Sequence, residues 1–90
     1  MAGLADKIKA GALIVDVRTP EEFTDEAYPN AINIPVEEVQ MRLKEFGDME
    51  KPVIVYCASG ARSAYAARVL KMSGYKDVTN AGGLYDMPGF

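Results

Sequence analysis

Apolar residues fall along this chain in short, dense runs separated by stretches of helical spacing. Leu13-Ile14-Val15-Asp16-Val17 is nearly continuous in apolar side chains, and Pro52-Val53-Ile54-Val55-Tyr56 repeats the pattern. Runs of this length predict parallel strands covered on both faces. Pro52 is tolerated because it stands at the first position of its strand. Ala31-Ile32-Asn33-Ile34 and Asp77-Val78-Thr79 predict two shorter strands.

Helical patterns lie between them. Leu4 to Lys9 predicts a short helix stopped at Gly11. Thr19-Pro20-Glu21-Glu22 carries a helix start, with Thr19 as N-cap, Pro20 in the first turn and Glu22 completing a capping box. That helix frays near Asp25. Pro35 opens another, with Glu37 and Glu38 where the helix dipole favours acids. Its apolar stripe is Val36, Val39, Leu43 and Phe46, and Gly47 ends it. The last helix is expected from about Arg62 to Ser73. Ala64, Ala66 and Ala67 let it approach the sheet, and Tyr65, Val69 and Met72 mark its core stripe. Gly74 is a good stop, with apolar Tyr75 behind it. Gly82-Gly83 is expected to turn the chain into an irregular tail.

Strands alternating with helices predict an α/β fold, with a parallel sheet, right-handed crossovers and helices on both faces. Ligands of such sheets bind beyond the carboxyl ends of the strands. Cys57 stands at one such end, and Asp16-Val17-Arg18 at another.

Composition narrows the chemistry. Ninety residues predict one domain, residues 1–90, with a modest stability margin. A single cysteine excludes an internal disulfide and a cysteine-rich metal site. With no histidine, Cys-His and Ser-His-Asp catalysis and most zinc sites are excluded. Neither metal nor cofactor is expected. No run approaches the ~18 apolar residues of a membrane span. The opening residues lack a leader pattern, since Lys7 and Lys9 fall mid-stretch and Asp16 interrupts the apolar run. A cytoplasmic monomer is expected, or a periplasmic protein if a leader has been removed.

Charge adds one detail. Residues 1–50 carry 11 acids and five bases, whereas residues 51–90 carry two acids and five bases. Cys57 lies in the positive half, a setting that attracts small anions and favours a thiolate. An acidic chain without a basic stripe does not predict nucleic-acid binding.

The segment Tyr56-Cys57-Ala58-Ser59-Gly60-Ala61-Arg62-Ser63 therefore holds the candidate chemistry. Taken singly, Cys57 reads as a small buried hydrophobe, Arg62 as a solvated helix residue, and Ser59 and Ser63 as ordinary loop and first-turn residues. Together they form a strand end, a loop of small residues and a helix start. If the loop curls over the sulfur, successive amides point inward as a nest backed by the helix dipole. Gly60 supplies the positive φ that such a ring needs. That environment favours the thiolate and any anion built on it.

Four collinear segments carry a resemblance: "LIVDVRTPEEF", "AINIP", "VIVYCASGARSAYAARVLKMSGY" and "VTNAGGL". In this order and spacing the chain resembles the single-domain rhodanese family of sulfurtransferases, and its ending is most similar to the small phage-shock-type members. The resemblance implies a three-layer α/β/α domain with a central parallel sheet of four or five strands. Four are expected here, because the chain starts at the helix. It implies a ping-pong reaction in which Cys57 takes the outer sulfur of a donor such as thiosulfate. The persulfide rests on loop 58–63, and the sulfur passes to cyanide or to a thiol, including one on a small redox protein. Arg62 would orient the anionic donor, and Asp16 and Arg18 would brace the loop from behind. With no second cysteine, sulfur must leave to an external acceptor.

Besides lacking the extra strand that many members carry before the first helix, the chain departs from the family pattern in two places. Glu26-Ala27-Tyr28-Pro29-Asn30-Ala31 lacks the Gly-His common before this turn, and the tryptophan-bearing C-terminal helix is missing. A shallow, open donor pocket is therefore expected. Ala58 and Ala61 offer little side-chain selectivity. Cysteine phosphatases and arsenate reductases of the same fold are the rival enzymes. They need one more residue between cysteine and arginine than the four found here. A module that binds or relays sulfur to one dedicated partner is the rival from outside general catalysis.

Overall fold

The computed structural model describes residues 3–90. Met1 and Ala2, the first residues of the stretch read for a leader, lie outside them. Four parallel strands form one sheet: β1 (Leu13–Asp16), β2 (Ile32–Asn33), β3 (Val53–Cys57) and β4 (Val78–Gly83). Their spatial order is β2-β1-β3-β4. β1 runs beside β3 with Ile14 opposite Ile54 and Asp16 opposite Tyr56. The two sequence segments singled out for chemistry thus end side by side.

Strand alternation divides the core. Val53, Val55 and Cys57 face helix α3 (Ala61–Met72) and pack with Val15, Ala66, Ala67 and Leu70. Ile54 and Tyr56 face the opposite way. They pack with Ile14, Leu84 and Met87, and with Leu4 and Ile8 of helix α1 (Leu4–Lys9). The sheet is therefore the middle of three layers. Helix α2 (Pro20–Asp25) starts on the anticipated capping box, with the Glu22 amide donating to the Thr19 hydroxyl at 3.2 Å and the Thr19 amide to Glu22 at 3.0 Å.

Three expectations are corrected. The helix predicted after Pro35 is two 3-10 turns, Val36–Glu38 and Leu43–Phe46. Arg42, at φ −113° and ψ 29°, leaves helical geometry between them. Val39 and Phe46 are nevertheless buried, with Val36 and Leu43 packed against the core. On α3 the sheet-facing stripe is Ser63, Ala66, Ala67 and Leu70, while Tyr65 and Met72 are 58% and 79% exposed. Close approach to the sheet favours small side chains at Ser63, Ala66 and Ala67, with Leu70 the one large side chain in the stripe, while Tyr65 and Met72 point away from it. Finally, Gly82-Gly83 does not turn the chain away but completes β4. The register skips there, pairing Val55 with Asn80 and Cys57 with Gly83. The tail beyond is ordered, and its Leu84 and Met87 seal the second core layer.

No helix among the described residues is long and apolar enough to cross a membrane.

Candidate active site

Cys57 ends β3 with its side chain toward the start of α3, and it is fully buried. The chain then bends through Ala58 and Ser59 and enters α3 after Gly60, whose φ of +100° is the left-handed value anticipated for the ring. This curl aims backbone donors at the sulfur. The Gly60 amide lies 3.0 Å and the Ser63 amide 3.4 Å from Sγ, and the Ser63 hydroxyl is 3.3 Å away. Ala58 and Ala61 make no hydrogen bond to Sγ among the described residues.

Two effects oppose each other at this thiol. Burial pushes its pKa up, because it penalises the charged form. The Ser63 hydroxyl and the amides of Ser63, Gly60 and Ser59 pull it down, and together they win. Cys57 is held below the ordinary thiol value.

Asn80 is a site residue that sequence reasoning missed. Its Oδ1 accepts from the Ser63 hydroxyl at 2.6 Å and from the Gly82 amide at 3.0 Å, and its Nδ2 donates to the Gly60 carbonyl at 3.2 Å. The skipped register in β4, with Gly82 at φ +92°, lets one side chain reach all three groups. The Ser63 hydroxyl has a single proton to give. While Cys57 is a thiol, S–H can donate to Ser63 Oγ and the hydroxyl to Asn80. Once Cys57 is a thiolate, the hydroxyl can turn to sulfur, and Asn80 keeps the Gly82 amide. The arrangement serves both protonation states. The only signal in the sequence was "VTNAGGL" itself, since Asn80 acts across 17 to 20 residues of chain.

Gly83 contributes by lacking a side chain. A Cβ there would lie 2.1 Å from the Ala58 carbonyl oxygen. β4 and the start of the loop approach each other only because nothing intervenes.

Arg62 lies at the mouth of the site with its guanidinium engaged. Nη1 donates to Glu22 Oε1 at 2.7 Å and Nη2 to Oε2 at 3.1 Å. The pair lowers the Glu22 pKa to about 2, Arg62 acting first and the Thr19 cap second. Arg62 is raised in turn, by Glu22 chiefly and also by the charge on Cys57. A groove of about 570 Å³ opens here, lined by Val36, Glu37, Ala61, Arg62 and Tyr65. Its wall at Ala61-Arg62 belongs to the turn that holds the sulfur. The groove is open, and Cys57 is not among the residues that line it.

Asp16 and Arg18 form a buried pair. The Asp16 carboxylate accepts from the Arg18 amide at 2.9 Å, Arg18 Nη2 at 2.7 Å and the Tyr56 hydroxyl at 2.8 Å. Arg18 also donates to the Glu26 carbonyl at 2.5 Å, and its guanidinium sits over the Tyr56 ring. The pair therefore holds Tyr56, which precedes Cys57, and makes no hydrogen bond to loop 58–63 among the described residues. It also anchors the turn that lacks Gly-His. There the Tyr28 amide donates to the Tyr56 hydroxyl at 3.0 Å, and Asn30 takes a φ of +68°.

The chain matches the family described as Rhodanese-like domain over residues 1–86. It is 43% identical over 74 residues to the thiosulfate sulfurtransferase PspE of Escherichia coli, covering 81% of this chain and 71% of that protein. The thiosulfate sulfurtransferase GlpE of Pseudomonas syringae is 31% identical, over 86% of this chain and 72% of its own. Among solved structures, a rhodanese with anions from E. coli superposes with a TM-score of 0.82 at 40% identity, covering 87% of this chain and 93% of that one. The human single-domain sulfurtransferase TSTD1 gives the same TM-score at 28% identity, over 91% of this chain and 85% of its own. Matched in sequence and in fold along most of its length, the chain belongs to the rhodanese-like domain family.

Proposed function

We propose that this chain moves sulfane sulfur through a persulfide on Cys57. Its enzyme class is that of its relatives, several of which are named thiosulfate sulfurtransferases; the chain is a sulfurtransferase. The observation that carries the persulfide reading is the convergence of the Gly60 and Ser63 amides and the Ser63 hydroxyl on one buried sulfur. Donors fixed in place before reaction stabilise an anion without reorganising when it forms.

In the first half-reaction the Cys57 thiolate attacks the outer sulfur of thiosulfate. A new S–S bond forms, the donor's S–S bond breaks, and sulfite leaves with its electron pair. The persulfide anion that remains is stabilised by loop 58–63. In the second half-reaction a nucleophile attacks the terminal sulfur, and the Cys57 thiolate departs. Cyanide serves in the assay and a thiol in the cell. Cys57 is the sole cysteine, so no internal thiol can resolve the persulfide and the acceptor comes from outside. Arg62 meets the anionic donor at the groove. Asp16 and Arg18 act as positioning residues by fixing Tyr56.

The test is thiocyanate formation from thiosulfate and cyanide. Cys57→Ser, which preserves size and polarity, is expected to remove turnover while leaving the circular dichroism spectrum unchanged. Turnover that survives in folded Cys57→Ser protein rules the reading out.

A further inference from the structure

Arg62 does not face the groove as a free cation. Two of its donors are taken by the two oxygens of Glu22, in the two-point geometry that guanidinium and carboxylate favour. Glu22 is itself pinned. Its Oε1 also accepts from the Thr19 amide at 3.0 Å and the Thr19 hydroxyl at 3.2 Å, so the cap of α2 holds the carboxylate where Arg62 reaches it. Both side chains are about one-third exposed, 35% for Arg62 and 34% for Glu22, so the pair is open to solvent. Glu37 adds a second carboxylate to the groove lining. Around Arg62 stand the carboxylates of Glu22 and Glu37, and the Arg18 cation is also near enough to act on it.

We propose that Glu22 sets the charge preference of the donor site. By occupying the fork of Arg62 and placing a negative charge beside it, Glu22 disfavours dianionic donors such as thiosulfate relative to donors of single charge, such as thiosulfonates and organic persulfide anions. The proposal rests on the sulfurtransferase reading and names the class of donor that this particular mouth favours. In the sulfur-transfer step the balance is the same for either class. The thiolate forms the new S–S bond, and the leaving group, sulfite or a sulfinate or a thiolate, takes the electron pair of the bond that breaks.

Glu22→Gln isolates the charge from the cap. Glutamine completes the same capping box as glutamate, so α2 keeps its start while the mouth gains one positive unit. Coulomb energy scales with donor charge. For a donor ~8 Å away in a water-like dielectric, removing one negative charge strengthens dianion binding about sixfold and monoanion binding by the square root of that, about 2.5-fold. Added salt shrinks both gains.

Calorimetry measures this in the Cys57→Ala background, where no sulfur can transfer, with thiosulfate and methanethiosulfonate as probes at low ionic strength. Thiosulfate affinity is expected to rise about sixfold on adding Glu22→Gln, with methanethiosulfonate rising by half as much on a logarithmic scale. Glu22→Asp, whose shorter side chain withdraws the charge from the guanidinium but keeps it nearby, is expected to give a smaller gain for thiosulfate. Unchanged or weaker thiosulfate binding in both variants overturns the proposal, and weaker binding shows Glu22 to be a clamp that readies Arg62 for the donor. Equal gains for the two probes overturn it as well. Persulfide formation by the wild-type chain, read by mass, is scored separately. Its absence refutes the sulfurtransferase reading, while the affinity comparison still decides the role of Glu22.

Discussion

Gly83→Ala tests whether the gap between β4 and the cysteine loop matters, with little else disturbed. Gly83 has φ −96° and ψ 170°, an extended conformation that alanine adopts freely. No backbone strain confuses the result. The added Cβ would stand 2.1 Å from the Ala58 carbonyl oxygen, whereas ordinary contact begins near 3.4 Å. Strand and loop must therefore separate by about 1.3 Å, the difference between those two distances. Ala58 follows Cys57 directly, so the displacement propagates into the turn that delivers the Gly60 and Ser63 amides. Overpacking of this kind costs about 1–3 kcal/mol, and a 1 Å misplacement at a reacting centre costs on the order of 100-fold in rate. Because β4 is an edge strand and can shift outward, a destabilisation of about 2 kcal/mol and a rate loss of roughly 10- to 100-fold are expected. Urea unfolding gives the first quantity and single-turnover sulfur transfer the second. Iodoacetamide alkylation against pH should also show the Cys57 thiol titrating higher than in wild type. A variant with wild-type stability, rate and alkylation profile would show that the close approach at Gly83 does not shape the loop.

Ser63→Ala removes the hydroxyl that helps hold the Cys57 pKa down, so its alkylation profile should move to higher pH and sulfur transfer at neutral pH should fall roughly 10- to 100-fold, the range for one hydrogen bond to a charged group; an unmoved profile contradicts the assignment. Asp16→Ala leaves the Arg18 guanidinium buried without its carboxylate and should cost about 3–5 kcal/mol in urea unfolding. A loss below about 1 kcal/mol would mean that water or Glu26 replaces the partner. The pH dependence of stability tests the Glu22–Arg62 pair. The pKa of Glu22 is depressed in the fold from 4.5 to about 2, so its contribution is full above 4.5 and is lost as pH falls toward 2. Glu22→Gln should remove that acid limb, and equal acid sensitivity in the two proteins would argue against the pair.

Much of this arrangement is legible in the chain because local chemistry and tertiary structure agree. The apolar runs at Leu13–Asp16 and Val53–Cys57 are buried on both faces, so continuity rather than alternation marks them as parallel strands. Thr19 and Glu22 sit three residues apart and cap each other as local geometry dictates. The cysteine turn is legible for the same reason, since Gly60 and the small residues around it report a backbone that must bend tightly. What stayed hidden depends on distant partners. The stripe from Val36 to Phe46 shows which side chains enter the core, yet two 3-10 turns bury Val39 and Phe46 as well as one helix would. On α3, the apolarity of Tyr65 and Met72 suggested a core face, but the face that meets the sheet carries Ser63, Ala66, Ala67 and Leu70, three of them small enough for a close approach. Asn80 reaches the site through a register skip that no local pattern announces. Glu22 was legible as a cap, and only the fold brings Arg62, 40 residues away, onto the same carboxylate.

The mechanism depends on sulfur being carried by Cys57. Intact-mass measurement of the folded protein after exposure to thiosulfate, with no acceptor present, tests it most directly. One added sulfur, about 32 Da, is expected on the wild-type chain, lost on adding cyanide and never acquired by Cys57→Ser, as covalent catalysis through this thiolate requires. A folded wild-type protein whose thiol alkylates readily but which gains no mass from thiosulfate or from a thiosulfonate would contradict the account.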